Sequence, residues 1–488
     1  MSFTSTFFIF LFLPITVLLY WVLDDRFKNV FLLAVSMLFY ASCNVKMLPL
    51  LIVSMAVNYV FGLILGKVRK KRIVSLIFCI LMLAFNFSLL FYFKYYIFTV
   101  TQINYVFNAN LIIPEIALPL GISFYTFRTV SYCLDVMWGG TESQKNPIVF
   151  ALYVSFFPHI LSGPIAKYND FNNQLKDKKF CITTCADGIK RIIIGIFKKV
   201  VFANTIGIIV DRIVQMPNEN RTVLLAWIGA VGYMLQLYYD FSGYTDIAIG
   251  VGKMFGIETA ENFDHPYAST TITEYWSRWH ITLGTWLRDY IYTPVFRALS
   301  SKENSSIHVA DIAALFLTWL FAGIWHGAAW HYVVYGLFYF LFIVIERTLE
   351  FQAKKRRKRL KIKKKPRTVG QIIALHFYCL IVVLFGTLLF RVDSLPAYVG
   401  YLRSMFSGQI VSELSFFILK DVWLMFFFAG YFSMPIVPFI RKKVNAIKNV
   451  FLYHTSQVMI IVCYVLIFIV DISAMLNTSY NPFLYFDF

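Results

Sequence analysis

The chain has 488 residues, of which 59% are hydrophobic and 19% aromatic, and its mean hydropathy is +0.66. So apolar a composition excludes the set of about three soluble domains that the length alone would suggest. The formal net charge of +19 would suit a nucleic-acid-binding protein, but the basic residues lie between apolar segments, as in membrane proteins. We therefore expect a membrane protein with no nucleic-acid partner.

Apolar runs near the ~20 residues that a helix needs to cross a bilayer recur along the whole chain. They predict an all-α polytopic membrane protein with about eleven or twelve helices. Shorter or broken runs, such as Val30–Ala41 and Val422–Ile440, are expected to be tilted, re-entrant or interfacial. The clearest full-length runs are Thr6–Leu23, Met47–Leu65, Ile73–Val100, Ile372–Phe390 and Val450–Val470.

Twenty of the 45 basic residues lie in three loops, Lys67–Arg72, Lys354–Arg367 and Arg441–Lys448. Lys and Arg beside apolar segments mark loops on the cytoplasmic side of a membrane. Three apolar segments precede the first loop and three crossings follow the second, so both chain ends are expected outside the cytoplasm. The second loop could also bind anionic membrane lipids, although its effect on topology explains it alone.

The sequence shows no internal repeat, so it predicts one membrane-embedded domain, residues 1–470, in the cell membrane. A tail at residues 471–488 is then expected on the extracytoplasmic side. It ends in "NPFLYFDF", which is apolar for a solvent-exposed end and too short to cross a bilayer.

One cluster of polar residues within an otherwise apolar segment lies in "QLYYDFSGYTDIAIGVG", residues 236–252. It consists of Asp240, Ser242, Tyr244 and Asp246. Carboxylates at membrane depth need partners. We interpret these residues as candidates for substrate binding or for supporting the site, with a hydrogen-bonded structural role at least as well supported.

The stretch "TEYWSRWHITLGTWLRDYIYTPV", residues 273–295, mixes aromatic with charged side chains. Such mixing is typical of an interfacial helix or of the wall of a polar cavity. Arg278 and Trp279 are candidate substrate contacts. Taken alone, the neighbouring His280 fits a packed interfacial histidine as well as a site residue.

Residues 312–345 contain no carboxylate, lysine or arginine, yet they include His326 and His331. The stretch is too long for one span, and broken helices at membrane depth occur where they line a cavity or are buried in protein. The glycines that could break it are Gly323, Gly327 and Gly336. Histidine in a membrane span is functional by default, so we predict that His326, next to Trp325, is a general base. For His331 we prefer a packing role.

The seven cysteines include no CxxC pair, which argues against a disulfide framework or a zinc site. The chain also lacks a phosphate-cradling loop and a Ser-His-Asp motif order. We predict no metal and no bound cofactor.

Together these motifs resemble the membrane-bound O-acyltransferases, in particular the bacterial branch that includes the membrane subunit of alginate O-acetyltransferase and the teichoic-acid D-alanyl transferase. The resemblance spans most of the chain. The matching stretches are "GISFYTFRTVSYCLDV" (121–136), "FPHILSGPIAKYNDF" (157–171), "YYDFSGYTDIAIG" (238–250), "NFDHPYASTTITEYWSRWHITLGTWLRDYIY" (262–292) and "GIWHGAAWHYVVYGL" (323–337).

The resemblance implies a helical bundle around a central tunnel, with His326 as the catalytic histidine and His280 as the second polar position of the site. Some members, or a small companion subunit, end similarly in an F-x-Y-F-x-F motif, which here runs from Phe483 to Phe488. On that pattern Tyr485 would carry the acyl group. An interfacial aromatic tail is the alternative.

The function so implied is transfer of a small acyl group, acetyl in the first place, from cytoplasmic acetyl-CoA or another acyl thioester to an extracytoplasmic polysaccharide. A hydrolase-like partner of the SGNH type would complete the transfer outside. D-alanyl transfer from a carrier protein to teichoic acid is the alternative within the class. A glycan or lipid transporter is the alternative outside it, and consumption of acetyl-CoA would distinguish the two classes.

Overall fold

The computed structural model describes residues 1–176, 181–301, 306–363 and 365–477. These residues form helices joined by loops and include no β-strand. The predicted all-α architecture is therefore confirmed.

The helices are numbered here in chain order. The first are α1 (Leu13–Val22), α2 (Asp25–Asn44), α3 (Leu48–Val68), α4 (Arg72–Leu90), α5 (Tyr96–Phe107), α6 (Ile122–Trp138), α7 (Pro147–Ser155), α8 (Phe157–Ile160), α9 (Tyr168–Lys176), α10 (Ile182–Ile196) and α11 (Thr205–Val214). Then come α12 (Val223–Met254), α13 (Ile272–Arg278), α14 (Ile281–Leu287), α15 (Thr293–Ser300), α16 (Ile307–His326), α17 (Trp330–Leu360) and α18 (Val369–Arg391). The last are α19 (Leu395–Phe406), α20 (Glu413–Ser433), α21 (Ile436–Asn445) and α22 (Val450–Asn477).

Several helix starts follow from side chains that satisfy the first backbone N–H groups. The hydroxyl of Thr222 accepts from the N–H of Leu225 at 3.3 Å and begins α12. Thr368 and Gln371 form a reciprocal capping box at the start of α18. Local sequence thus sets the ends of two helices of the bundle.

Eight helical stretches in the described ranges are long and apolar enough to cross a membrane. They are Asp25–Val68, Arg72–Phe107, Ile182–Val214, Ile307–His326, Trp330–Leu360, Val369–Arg391, Glu413–Ser433 and Val450–Asn477. The number is lower than the eleven or twelve segments expected from the sequence. One reason is that Asp25–Val68 counts once, although at ~1.5 Å per residue it is about twice the bilayer core and is divided into α2 and α3.

The 32-residue helix α12 is not among the eight because polar side chains, including Gln236 and Asp240, interrupt its apolar sequence. Most of its residues are buried inside the bundle. It separates two large apolar clusters, one built on the N-terminal helices and α6, the other on α17 and α18. We therefore regard α12 as the central helix of the fold.

Glycines bring α12 into backbone contact with α10. A Cβ on Gly195 would lie 2.7 Å from the carbonyl oxygen of Gly243, and a Cβ on Gly188 would lie 2.6 Å from that of Gly250. The reverse pairs are equally close, at 2.7 Å each. Small residues allow such close helix approach where no water drives association.

The short helices α13 to α15 lie on the face that carries the basic loops. The carboxylate of Glu346, near the end of α17, accepts from the N–H groups of Ile272 and Thr273 at 2.6 and 2.9 Å. Beyond α15, Asp311 accepts from Tyr292 and pairs with Arg347, both at 2.5 Å. The segment is thereby anchored to the helix that ends in the loop Lys354–Arg367.

The last helix, α22, lies at the edge of the bundle with most of its surface exposed. It continues to Asn477, and the division into a membrane domain and a tail stays a prediction. Residues 478–488, which include Tyr485, lie outside the described residues.

The glycine contacts make a prediction about stability. Gly195→Ala should lower the free energy of unfolding by about 1–3 kcal/mol, because the added methyl group meets backbone that cannot move aside. Gly430→Ala is the matched control, since it lies within α20 and a Cβ there has nothing within 4 Å. Thermal unfolding of both variants in detergent measures the difference, and equal midpoints would contradict the packing described.

Candidate active site

His326 is the last residue of α16, where the chain turns into α17. The helix ends because Gly327 is extended, with φ −179° and ψ 162°. The break occurs at one of the three glycines expected from the sequence. Gly323 and Gly336 instead lie within the helices, where their Cα atoms bring α16 and α17 together.

The imidazole of His326 is buried and enclosed by aromatic rings. His326 is 4% exposed. Its ring centroid lies 4.7 Å from that of Trp325, 5.4 Å from Tyr335 and 5.1 Å from Phe390. α16, α17 and α18 each contribute to this enclosure, as a dry site for proton transfer requires.

His280 occupies the loop between α13 and α14 and has a strained backbone. Its φ of 45° and ψ of 53° lie in the left-handed region, which costs a non-glycine residue ~1–2 kcal/mol. Buried Asn262 stabilises the turn: its side-chain oxygen accepts from the N–H and the hydroxyl of Thr282, at 3.2 and 2.9 Å. The same oxygen lies 3.0 Å from Nδ1 of His280.

This hydrogen bonding selects one tautomer of His280. Because the N–H of Thr282 can only donate, the Asn262 atom that it contacts is the carbonyl oxygen. Nδ1 of His280 must then donate to that oxygen, which leaves Nε2 as the acceptor nitrogen of the ring. Burial lowers the pKa of His280 below its ordinary value, so the imidazole is neutral at pH 7.

Trp325 connects the two histidines. Its ring centroid lies 6.3 Å from that of His280 and 4.7 Å from that of His326. Phe241, on α12, packs edge-on against His280 at 4.7 Å. Two histidines that are 46 positions apart in the sequence therefore meet around one indole at the centre of the bundle.

Trp279 and Arg278 precede His280 in the chain, but their side chains contact other residues than the two histidines do. Trp279 is buried and stacks on Tyr275 at 5.7 Å, with Phe263 edge-on at 5.0 Å. Arg278 pairs with Glu274 at 3.0 Å. The structure thus shows packing and surface contacts for these two residues, and their predicted contact with substrate stays a prediction.

Asp240 and Asp246 take part in ion pairs. Asp240 pairs with Lys199 on the π-helical turn after α10, and both side chains are buried. Asp246 pairs with Lys198 at 2.7 Å and with Arg191 at 2.8 Å. These contacts link α12 to α10 and its extension, as expected for the structural alternative.

The other two polar residues of this stretch, Ser242 and Tyr244, are also buried. Tyr244 stacks on Phe3 near the chain start, at 5.0 Å. Ser242 is buried on α12, and its carbonyl oxygen accepts from the Thr245 hydroxyl at 3.0 Å. A role for either side chain in substrate binding stays a prediction.

The sequence interpretation missed His159 and Asn262. His159 is 1% exposed, and its Nε2 lies 2.8 Å from the hydroxyl of Thr259. Its carbonyl oxygen accepts from the fully buried guanidinium of Arg128. A histidine within the apolar sequence "FFPHILSGP" was the available signal, whereas nothing in the sequence marks Asn262 as the partner of His280.

A cavity of about 130 Å³ lies beside His280, since the next two residues, Ile281 and Thr282, line it. Its walls include His159, together with Thr282 and Trp286 of α14. Lys167 and Asp289, which pair at 2.6 Å, stand near its outer part. Among the described residues, no group of three His, Cys, Asp or Glu side chains could hold a metal ion.

Comparisons with known proteins identify the family of this chain. Residues 142–391 match the family described as MBOAT, membrane-bound O-acyltransferase family. The chain is 33% identical to "Probable alginate O-acetylase AlgI" of Pseudomonas putida, in an alignment that covers 100% of both chains.

Two further relatives carry different names. A "Peptidoglycan O-acetyltransferase" of Helicobacter pylori is 33% identical, over 72% of each chain. A "Teichoic acid D-alanyltransferase" of Bacillus subtilis is 31% identical, over 53% of this chain and 66% of that protein. The match to the family and the full-length similarity establish that the chain belongs to the membrane-bound O-acyltransferases and is a multi-pass membrane O-acyltransferase.

Proposed function

We propose that this O-acyltransferase takes an acetyl group from a cytoplasmic acyl thioester, acetyl-CoA in the first place, and delivers it to an extracytoplasmic polysaccharide. The observation that carries the proposal is the meeting of His326 and His280 around Trp325. His280 belongs to a segment docked on the basic-loop face, whereas His326 lies at the turn at the opposite end of α16. We infer that a group bound between them is reachable from both faces of the bundle.

The sidedness rests on the charged loops. Arg69 pairs with Glu142 at 3.1 Å next to the first basic loop, and the guanidinium of Arg367 lies 3.4 Å from the Thr270 hydroxyl next to the second. Both loops mark the cytoplasmic face of a cell-membrane protein. The cavity beside Thr282 opens on this face, so the thioester would enter there and the proposed tunnel would continue to His326.

In the proposed reaction, the phenol of Tyr485 in the C-terminal tail is the group that first accepts the acyl group. With the C-terminus on the extracytoplasmic side, His326 removes the proton of the Tyr485 hydroxyl as its oxygen attacks the thioester carbonyl. The C–S bond breaks, the thiol leaves with a proton, and an aryl ester forms. A hydroxyl group on an extracytoplasmic hydrolase-like partner then accepts the acyl group and releases the phenol.

The names of the relatives support acetyl transfer to a glycan. The full-length relative is named for alginate and the relative from Helicobacter pylori for peptidoglycan, and both are named for O-acetylation. D-alanyl transfer to teichoic acid is the second candidate, favoured by the relative from Bacillus subtilis, which matches about half of this chain. Membership of an acyltransferase family argues against the transporter alternative.

His326→Ala should lower the rate of acyl transfer ~10²–10⁴-fold, the usual loss when a general base is removed. The measurement is ester-linked acetate on the glycan of cells that express the variant at wild-type level. His331→Ala is the matched control, because this neighbouring histidine is also buried and its ring packs on Tyr332. Near-normal acetylation by His326→Ala would reject the assignment of the base.

Asn262→Ala should lower the rate of transfer less than His326→Ala does. It removes the oxygen that orients His280 and fixes the N–H of Thr282, yet both histidines remain. Positioning losses of this kind typically reach about 10²-fold for a displacement near 1 Å. Turnover of labelled acetyl-CoA by purified protein provides the measurement, and a wild-type rate would show that the tautomer of His280 is irrelevant.

Tyr485→Phe removes only the hydroxyl that would carry the ester. If the tail is a relay, the variant should no longer acetylate the external glycan, although the ring and its apolar surface remain. Wild-type protein given labelled donor should carry an alkali-labile adduct on its C-terminal peptide. Phe483→Tyr is the control for a change of aromatic residue elsewhere in the tail. If Tyr485→Phe acetylates the glycan at the wild-type rate, the relay is rejected and the tail is an interfacial anchor.

A further inference from the structure

Lys94 lies at an unusual position in the bundle. It belongs to a π-helical turn, Phe91–Tyr95, between α4 and α5. This turn lies within Arg72–Phe107, a stretch apolar enough to cross a membrane. A cation inside such a stretch is costly and marks function, and π-helical turns occur frequently at functional sites.

The ammonium group of Lys94 is directed at the end of α16. Its Nζ donates to the backbone carbonyl of Trp325 and lies 5.6 Å from the centre of the Trp325 ring. The hydroxyl of the next residue, Tyr95, donates to the carbonyl of Ile324 at 3.0 Å. One turn of a distant helix therefore provides two donors to the last turn of α16.

These contacts satisfy a general need of helix ends. The last four carbonyl groups of a helix have no intrahelical partner, and the negative end of the helix dipole attracts a cation. α16 ends at His326 because Gly327 is extended. The N–H of Gly327 donates to the carbonyl of Ile324 at 3.3 Å, and Lys94 satisfies the next carbonyl, that of Trp325. The position of this last turn decides where Trp325 and His326 stand relative to His280.

We propose that Lys94 is a positioning residue for acyl transfer: its ammonium group fixes the last turn of α16 and thereby holds Trp325 and His326 against His280. The proposal rests on the proposed function of the two histidines. Lys94 acts through the backbone of Trp325 and therefore affects the rate constant of transfer, with little effect on the affinity for the donor.

The test compares variants of the purified full-length chain that receive acetyl-labelled acetyl-CoA. Lys94→Met keeps the length of the side chain but removes the charge and the donor. We expect its rate constant at saturating acetyl-CoA to fall by about ten-fold or more, because small displacements in a site cost up to ~10²-fold. The half-saturating concentration should stay within about two-fold.

Lys94→Arg restores a cation with several donors and should recover most of the lost rate. Tyr92→Phe is the matched control on the same turn, where Tyr92 is 50% exposed, and its rate should equal that of wild type. If Lys94 affected only folding, each Lys94 variant would contain less active protein, and Lys94→Arg would not recover the rate. That result would also overturn the proposal. Unchanged turnover in Lys94→Met overturns the proposal.

If Lys94→Met does not fold, Tyr95→Phe takes its place, since it removes only the oxygen that donates to Ile324. It must lower the rate constant at an unchanged half-saturating concentration, and a wild-type rate overturns the proposal. Failure of the proposed function is a separate result. In that case wild-type protein takes no label from acetyl-CoA, or the His326→Ala variant takes label as well as wild-type protein does.

Discussion

The packing of α12 against α10 and its π-helical extension is the constraint on which the rest of the structure depends. Glycine pairs bring the two backbones together, and the ion pair of Asp240 with Lys199 is buried between them. In a bilayer, a broken pair would leave a charge with no water to solvate it. Phe241 is thereby held in the position where its ring supports His280.

A second constraint is the short turn between α16 and α17. It places His326 at a helix end enclosed by aromatic rings, while His280 approaches from a separate segment that is fixed by Asn262. The site brings two imidazoles together in apolar surroundings, where a developing charge is affected strongly by its few polar neighbours.

Much of the fold could be predicted from the sequence, because hydropathy and basic loops report on membrane helices directly. A break within residues 312–345 was predictable because the stretch is too long for one span and contains three glycines. The roles of Gly323 and Gly336 could not be predicted, since a glycine that ends a helix and a glycine that packs against a second helix look alike in sequence. The tail at residues 478–488 lies outside the described part of the chain, and its role stays a prediction.

The candidate site was harder to predict because its contacts join residues that are distant in the chain. In the sequence, Asp240 and Asp246 fitted a structural role as well as a site role, and only the structure shows their partners Lys199, Lys198 and Arg191. The approach of Lys94 to Trp325 likewise spans 231 positions. Local patterns identify a polar group in an apolar segment, but only the packed structure shows whether another protein group neutralises it.

The central claim is that an acyl group enters on the basic-loop face and leaves on the opposite face. Proteoliposomes of the purified protein, with orientation determined by protease cleavage in residues 354–367, test it most directly. Acetyl-labelled acetyl-CoA supplied only to the basic-loop face should label the protein, and a protease confined to the opposite face should release that label on a C-terminal peptide. Labelling only from the opposite face, or label that this protease cannot release, would contradict the account.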